Sequence, residues 1–260
     1  MLIGILHPGS GIGDQLFSYI AARVRAADLG VDFGFVGREF FKGKDFMQLD
    51  WGKEVDEGLE FRLEHPTGRV FPAFNCKFFR ADKPHFDPDF DFIQDDTIID
   101  GYGAQDTRYF GHRMDDIREW LAIRSNFCDY DEIDDVCVIN FRGGEFKAIP
   151  ELFLTRDYWD LAVGTLIAKY DDRLKFEVHT DDPEAAKQMF PAFPVFSGIE
   201  LNWRSIRHAK HLIISNSAFA IIPALLNENV QEIIAPKYWN RRNIGKWNWP
   251  MNYYKKFTYI

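Results

Sequence analysis

Three short segments carry the side chains best suited to bind a charged ligand, and each follows an apolar run. They are NFRGGEF at 140–146, VHTDDPEAA at 178–186 and IISNSAF at 213–219. An arginine such as Arg142 has the planar fork that grips a phosphate, and polar groups at a helix start can receive an anion. Because ligands collect at the carboxyl ends of parallel strands, the three segments together predict an anion site at one sheet edge.

Each of these segments also has a plainer explanation. Arg142 could form an ordinary surface salt bridge, and TDDPE is a good helix start through capping alone, with Pro183 as the first helical residue. The residues Ser215, Asn216 and Ser217 could cap the next helix as well. Capping does not explain why three strand ends in a row are polar, which favours a functional interpretation.

The opening loop GSGIGDQLF (9–17) is a further candidate. Glycines at 9, 11 and 13 permit positive φ and close backbone approach, and Asp14 stands at the expected N-cap of a helix. The dinucleotide pattern GxGxxG is not met, since the spacing is GxGxG and a carboxylate at 14 repels a pyrophosphate. A substrate loop and a tight turn with an Asp cap explain these residues equally well.

Metal and nucleophile motifs are not met by the sequence. The segment DPDFDFIQDDTI (87–98) resembles the start of a calcium loop, but Phe92 stands where the glycine is required and Ile98 where the glutamate is required. The three cysteines lack CxxC spacing, and neither GxSxG nor Walker A occurs. We therefore expect no bound metal.

Composition narrows the class of protein further. Hydrophobic residues at 46% and charged residues at 27% are ordinary globular values, and a net charge of -9 argues against a nucleic-acid polymer as partner. No window approaches the ~18 apolar residues that cross a bilayer, and an odd cysteine count without a disulfide framework favours the cytoplasm. A small anion in a local basic pocket stays possible.

Hydrophobic periodicity predicts an α/β protein with parallel sheets. The first half opens with a βαβ unit over 2–36, leaves 38–96 as short elements and loops, and continues with a strand at 97–103 and a helix within 107–123. An acidic break at 128–135 indicates a domain boundary. The second half alternates strands with helices, the strands at 136–141, 174–180, 194–197, 211–215 and lastly 231–236, the helices at 156–170, 183–189, 205–210 and 218–226.

The chain ends in a basic, aromatic segment, 239–257, that has no clean period. Its residues could stack on a sugar, touch a membrane surface or simply pack as a terminus.

Five segments, in the same order, resemble motifs of the α-1,2-fucosyltransferases of glycosyltransferase family 11. GIGDQLFSY resembles their GLGNQLFQY, GYGAQDTRYF their GYFQSEKYF, NFRGGEF their HxRRGDY and VHTDDPEAAK their FSDDPEWAK. HLIISNSAFAIIPALLN with IIAPKYW resembles HNIIANSSFSWWGAWLN with VIAPKKW. The similarity covers nearly the whole chain.

The resemblance implies a GT-B fold, with two Rossmann-like parallel-sheet domains facing across a cleft, 1–130 on the acceptor side and 131–260 binding the nucleotide sugar. It implies inverting, metal-independent transfer of L-fucose from GDP-fucose to a sugar hydroxyl of a glycan acceptor, with no cofactor. Arg142 would bind the donor diphosphate, and His7, Asp14 and Gln15 would lie on the acceptor side, with Asp14 as the base. The other implied donor-site residues are Gly11, Gly13, Gly144, Glu145, His179, Thr180, Asp181, Asp182, Ser215, Asn216, Ser217 and Phe219.

Seven positions in these motifs depart from the family pattern. In the donor motif Asn140 replaces the His, Gly143 the second Arg, Glu145 the Asp and Phe146 the Tyr. Asp14 replaces the Asn of the opening loop, and Ile221 and Ile222 replace two aromatic residues. Losing a cation beside the phosphates leaves open a different nucleotide sugar, weaker binding of the donor, or compensation by a basic residue such as His179 or Lys237. Two further alternatives are a nucleotide-sugar-binding protein without catalysis and, ranked last, a nucleotide-dependent oxidoreductase.

Overall fold

The computed structural model describes residues 1–55, 61–64, 69–72, 77–81, 85–124, 136–242, 244–251 and 254–260. The chain divides into two compact units, Met1–Ser125 and Asn126–Ile260. The acidic break at 128–135, on which the predicted domain boundary rests, lies outside the described residues. Each unit is described by itself.

The first unit is built on a four-stranded parallel sheet in the order β2-β1-β6-β5. A long helix, α1 (Ile12–Leu29), connects the central strand to its neighbour, as a parallel pair requires, and ends at Gly30 in the left-handed conformation. A separate antiparallel pair, β3 and β4, comes from the segment expected to hold only short elements. The strands are β1 (Leu2–Ile5), β2 (Phe33–Val36), β3 (Phe61–Glu64), β4 (Arg69–Pro72), β5 (Lys77–Arg80) and β6 (Thr97–Asp100).

The second unit contains a six-stranded parallel sheet in the order β14-β11-β10-β7-β8-β9. Its strands are β7 (Val136–Phe141), β8 (Lys175–Thr180), β9 (Val195–Ser197), β10 (His211–Ile214), β11 (Glu232–Ala235) and β14 (Thr258–Tyr259), and β12 (Tyr238–Arg242) pairs separately with β13 (Lys246–Pro250). Among the described residues of this unit, four helices accompany the sheet: α3 (Arg156–Tyr170), α4 (Pro183–Met189), α5 (Ile199–His208) and α6 (Ala218–Leu226). All six residues of β7 are buried, which fits a sequence that is apolar at every position except Asn140.

One core cluster of this unit lies between the sheet and two of its helices. Alternate residues of β7, with Phe176 and Val178 of β8, pack against Trp159 and Leu166 of α3 and Ala186 of α4. Rings of Phe141, Trp159 and Phe190 meet edge to face at centroid distances of 5.5 to 5.7 Å. This packing holds the carboxyl ends of β7 and β8 side by side.

Three expected elements differ from the observed ones. The helix expected within 107–123 is a seven-residue helix, α2 (Met114–Trp120), preceded by 3₁₀ turns at Thr107–Tyr109 and Gly111–Arg113. The turn expected at 205–210 is the end of the longer α5, which starts after Gly198. The strand at 231–236 is not the last, since β12, β13 and β14 follow it.

Two glycines give opposite predictions for stability. A Cβ on Gly101, directly after β6, would lie 2.7 Å from the Cβ of Ala21 in α1, so Gly101→Ala should destabilise the chain by about 1 to 3 kcal/mol. Gly164 is an exposed residue inside α3, and a Cβ there meets nothing within 4 Å in the described part of the chain. Gly164→Ala should therefore stabilise it by about 0.5 to 1 kcal/mol. Thermal unfolding of both variants measures the two signs, and an unchanged Tm for Gly101→Ala would contradict the close packing of α1.

Candidate functional site

The guanidinium of Arg142, the first residue after β7, is held by two carboxylates. Its Nη1 donates to Oδ2 of Asp181, which follows the neighbouring strand β8, and its Nη2 donates to Oε1 of Glu145 at 2.9 Å. The backbone N–H of Gly143 donates to the other Asp181 oxygen at 3.0 Å. The Arg142 side chain is 25% exposed, so the guanidinium is oriented at the sheet edge and still reachable by an anion from solvent.

The paired glycines after Arg142 leave room for these carboxylates. A Cβ on Gly144 would lie 2.2 Å from Oδ2 of Asp181, and a Cβ on Gly143 would lie 2.7 Å from the Cβ of Asp182. Contacts this short require the neighbours to move. The arginine of the fucosyltransferase motif therefore cannot stand at 143 unless Asp182 shifts, which gives a packing reason for that departure.

Asp182 caps the helix that follows β8 and forms an ion pair. Its Oδ1 accepts from the backbone N–H of Ala185 at 3.1 Å, as TDDPE predicts, and the ammonium of Lys147 donates to its Oδ2. The Lys147 ammonium first, and then the Ala185 N–H, hold the pKa of Asp182 below its usual value. Lys147, which the sequence analysis did not single out, thus brings a second cation to these strand ends.

Side-chain hydrogen bonds hold the segment after β10 in place. Ser215 donates from Oγ to Oδ1 of Asn140 at 3.0 Å, and both side chains are buried. The amide nitrogen of Asn216 donates to the carbonyls of Leu152, at 3.0 Å, and Trp239. Asn140, where the family motif carries His, thus supports the loop that begins α6.

Ser217 and Phe219 lie at the start of α6. Ser217 precedes the helix in an extended conformation and is buried, but its side chain makes no capping hydrogen bond to the helix, so the capping alternative does not explain this residue. Phe219 is half-buried, and its ring meets that of Trp203 at 6.0 Å. The Ser217 hydroxyl is therefore not used by the N–H groups of α6.

His179 is buried next to Asn140 in the sheet register. Its Nε2 donates to Oε1 of Glu177 at 3.0 Å, and its ring stacks on Phe196 at 5.3 Å. In the described part of the chain no hydrogen bond reaches its Nδ1. With Nε2 as the donor, a neutral ring presents Nδ1 as an acceptor.

The carbonyl of Thr180 is held by a buried amide that the sequence analysis missed. Asn202, in α5, donates from its side-chain nitrogen to Thr180 O at 3.1 Å, and the Thr180 hydroxyl accepts from the N–H of Asp182 at 2.9 Å. Asn202 could not be found from periodicity because α5 itself was predicted too short.

A second polar cluster lies at the strand ends of the first unit. His7 donates from Nε2 to Oδ1 of Asp100 at 2.9 Å, and Arg80 donates from Nε to Oδ2 of the same carboxylate at 2.8 Å. His7 and Asp100 are buried. Asp100 and Arg80 were not singled out from the sequence, although each ends its strand as the candidates in the second unit do.

The opening loop differs from expectation in two respects. Gly11, with φ of -65°, is the N-cap of α1, so Asp14 is not a cap but the third helical residue, and Gly13 is already helical. Among the three glycines only Gly9 takes a positive φ, of 81°. Asp14 is half-buried, close to the positive end of the helix dipole.

Gln15 fastens the chain after β2 to α1. Its amide nitrogen donates to Phe40 O at 2.8 Å and its oxygen accepts from the Lys42 N–H at 3.0 Å. The two groups of the amide are thus engaged by backbone, which gives Gln15 a positioning role in the loop.

The described residues contain no group of three or more His, Cys, Asp or Glu side chains arranged to hold a metal ion. Nor does any helix among them have the length and apolar character needed to cross a membrane.

Comparison with solved structures defines the class of fold. The fucosyltransferase NodZ from Bradyrhizobium is similar with a TM-score of 0.50 and 16% identity, over 89% of this chain and 92% of that one. A mutant of Arabidopsis thaliana FUT1 in complex with GDP is similar with a TM-score of 0.50 and 11% identity, over 94% of this chain and 71% of that one. The chain thus has the α/β fold with two parallel-sheet units of GT-B glycosyltransferases. No protein-family model matches the sequence, and no curated protein matches it significantly.

The ion pair of Asp182 should make the stability of the chain depend on pH, and substituting Asp182 should change that dependence. Because its folded pKa is lowered, its charge contributes stability that is present above the unfolded pKa and is lost as pH falls through the folded one. Asp182→Asn keeps the capping oxygen but removes the charge, so its deficit against wild type should be largest near neutral pH and shrink below about pH 4. Asp182→Ala also removes the helix cap, so its free energy of unfolding should fall by a further ~1 kcal/mol at all pH values.

The matched control is Asp160→Asn, which removes an exposed carboxylate paired with Arg156 within α3. Its stability should follow the wild-type pH profile. A deficit for Asp182→Asn that does not change with pH would contradict the ion pair with Lys147.

Proposed function

We propose that this chain is an inverting, metal-independent glycosyltransferase that transfers L-fucose from GDP-fucose to a sugar hydroxyl of a glycan, as an α-1,2-fucosyltransferase does. The observation that carries the proposal is the arginine-carboxylate pair of Arg142 and Asp181, next to the start of α6 on one parallel sheet. The fold shared with NodZ, a fucosyltransferase, and the five family-like motifs support the same reaction.

Arg142 is the donor-binding cation in this proposal. Breaking the bond between fucose and the diphosphate builds negative charge on the leaving group, and a guanidinium fixed in advance stabilises that charge without a metal. Of its two carboxylate partners, Glu145 is 68% exposed, whereas Asp181 is also held by the Gly143 N–H. The diphosphate therefore displaces Glu145 and leaves the bond to Asp181 intact.

The start of α6 completes the phosphate site. The first N–H groups of any helix have no partner within it and carry the positive end of its dipole. At α6 the hydroxyl of Ser217 stands beside them and is not used in capping. The bonds from Ser215 to Asn140 and from Asn216 to two carbonyls hold this loop in position, which is the role we assign to those residues.

Buried polar atoms around the same strand ends support a polar ligand. Within the described residues no hydrogen bond reaches Nδ1 of His179, Oδ1 of Asn202 or Oδ1 of Asn216. A buried polar atom left unsatisfied costs ~1 to 3 kcal/mol, so such atoms are usually completed by a ligand or ordered water. We assign this group to the nucleotide end of the donor.

On the acceptor side we assign the base to Asp14. The acceptor hydroxyl loses its proton as the new bond forms, and a carboxylate within reach can accept that proton. His7, held by Asp100, and Gln15, held by backbone, stiffen the two ends of the loop that presents Asp14. Asp14 performs the chemistry, and these neighbours position it.

Donor identity is tested by thermal shift with GDP-, UDP- and dTDP-sugars, because a ligand that binds only the folded state raises Tm. We expect a response to GDP-fucose. A response only to another nucleotide sugar identifies a related glycosyltransferase with a different donor, and binding without measurable transfer identifies a protein that has lost catalysis.

Arg142→Ala should weaken binding of that donor about 10- to 100-fold, since it removes charge-assisted hydrogen bonds to phosphate. Arg142→Lys keeps the positive charge but loses the planar guanidinium, so its donor affinity should lie between those of the wild type and Arg142→Ala. Arg173→Ala is the control, because Arg173 is exposed and precedes the amino end of β8, the strand next to the one that Arg142 follows. Calorimetric titration with GDP-fucose compares the three, and wild-type affinity for Arg142→Ala would rule out the assigned donor site.

Asp14→Asn restores the residue of the family motif and removes the proposed base. We expect turnover to fall about 100-fold with donor affinity unchanged, because a general base contributes at least that much to the chemical step. Asp32→Asn, an exposed carboxylate before β2, is the control. Equal turnover for Asp14→Asn and wild type would remove Asp14 as the base.

A further inference from the structure

The hairpin formed by β12 and β13 exposes apolar side chains at the surface of the second unit. It pairs with itself in a two-stranded antiparallel sheet, separate from the six-stranded one. Ile244 at the turn is 54% exposed, Trp247 46% and Trp249 39%. Two of the seven tryptophans of the chain thus lie exposed within three residues of each other.

The charge of this segment is opposite to that of the chain. Residues 237–260 contain six Lys and Arg and no Asp or Glu, whereas the whole chain carries 31 basic against 40 acidic residues. Lys246 and Lys255 are exposed. An otherwise acidic chain therefore presents a basic, aromatic hairpin. Its apolar and basic residues, which we call the hairpin surface, are Arg241, Ile244, Lys246, Trp247 and Trp249.

Contacts within the hairpin hold its aromatic and cationic groups together. The ring of Tyr238 stacks on Trp247 at 5.7 Å, and the guanidinium of Arg241 lies 5.4 Å from the centroid of the Trp247 ring. The Trp247 ring is thereby fixed while nearly half of its surface faces solvent. A large side chain that is already ordered loses little entropy on binding.

The turn of the hairpin places an apolar residue in an unfavourable backbone conformation. Ile244 has φ of 61°, a region in which a β-branched side chain is strained and where glycine or asparagine would fold more easily. Such strain persists mainly where function retains it. The apolar character of Ile244 is therefore not explained by folding of the turn.

We propose that the hairpin surface docks on an anionic phospholipid bilayer. Tryptophan favours the membrane interface, where its ring is partly buried and its N–H stays hydrated, and nearby Lys and Arg are attracted to anionic headgroups. The combination of exposed Ile and Trp with Lys and Arg in a segment that contains no Asp or Glu matches this interface. A polyanion such as nucleic acid would need only the cations and leaves the apolar residues without a role.

Docking would also bear on the proposed donor site, although it does not depend on that proposal. Asn216 holds the carbonyl of Trp239 in β12, and the N–H of Arg241 donates to Glu151 O at 2.8 Å. The hairpin base is therefore bonded directly to the loops beside the start of α6.

Vesicle co-sedimentation of the full chain tests the proposal. We expect binding to phosphatidylcholine vesicles that contain phosphatidylglycerol, weaker binding at high salt, and little binding to phosphatidylcholine alone. Lys246→Glu should weaken binding at least ~5-fold, about the effect of one cation near an anionic surface. Lys53→Glu, at an exposed lysine of the first unit, should bind as wild type does.

Ile244→Gly separates docking from folding. Glycine accepts the positive φ, so Tm should stay equal or rise while vesicle binding falls several-fold. Phe92→Ser, which removes an apolar side chain 75% exposed in the first unit, should leave binding unchanged. Three results would overturn the proposal. The first is wild-type vesicle binding by both Ile244→Gly and Lys246→Glu, and the second is no vesicle binding by the wild type at low salt. The third is binding of the chain to duplex DNA but not to vesicles.

Discussion

The bond between Arg142 and Asp181, at the ends of β7 and β8, is the interaction on which the site of the second unit depends. Register brings these residues side by side, because Phe141 of β7 pairs with Thr180 of β8 and the two residues follow directly. The Gly143 N–H fixes the carboxylate, and the missing side chains at 143 and 144 make room for it. The carboxyl ends of two buried strands thus present a fixed guanidinium to solvent.

The same constraint recurs in the first unit with different chemistry. There the carboxylate of Asp100 is fully buried and is shared by His7 and Arg80, so three parallel strand ends are joined by one acidic residue. In both units the carboxyl ends of parallel strands gather polar groups that each strand alone would leave unpaired. The difference is access, since Arg142 faces solvent and Asp100 does not.

Sequence patterns predict the elements with strong periodicity and fail where contacts are distant. Val136–Phe141, Arg156–Tyr170, Pro183–Met189 and Ala218–Leu226 agree with prediction, because apolar spacing and the Asp182 cap are local signals. The start of α5 was missed because Gly198 and a polar stretch around the buried Asn202 hide its apolar face. The hairpin of β12 and β13 was missed because its turn contains Ile244 at positive φ in place of a usual turn residue.

The residues of the candidate site likewise fall into those that local sequence patterns indicate and those that only distant contacts bring together. Arg142 and the segments after β8 and β10 could be found because polar residues interrupt apolar runs, whereas Lys147 acts through Asp182, 35 residues away, and Asp100 through His7, 93 residues away. No periodicity encodes such pairs. They depend on strand order, which the sequence specifies only through the completed packing.

A crystal structure of the chain with GDP would locate the diphosphate relative to Arg142. We expect a phosphate oxygen on the Arg142 guanidinium in the position that Glu145 Oε1 now occupies, with Asp181 still bonded to the Gly143 N–H and the start of α6 facing the same phosphates. GDP bound without contact to Arg142, with the bond from Arg142 to Glu145 unbroken, would contradict this expectation.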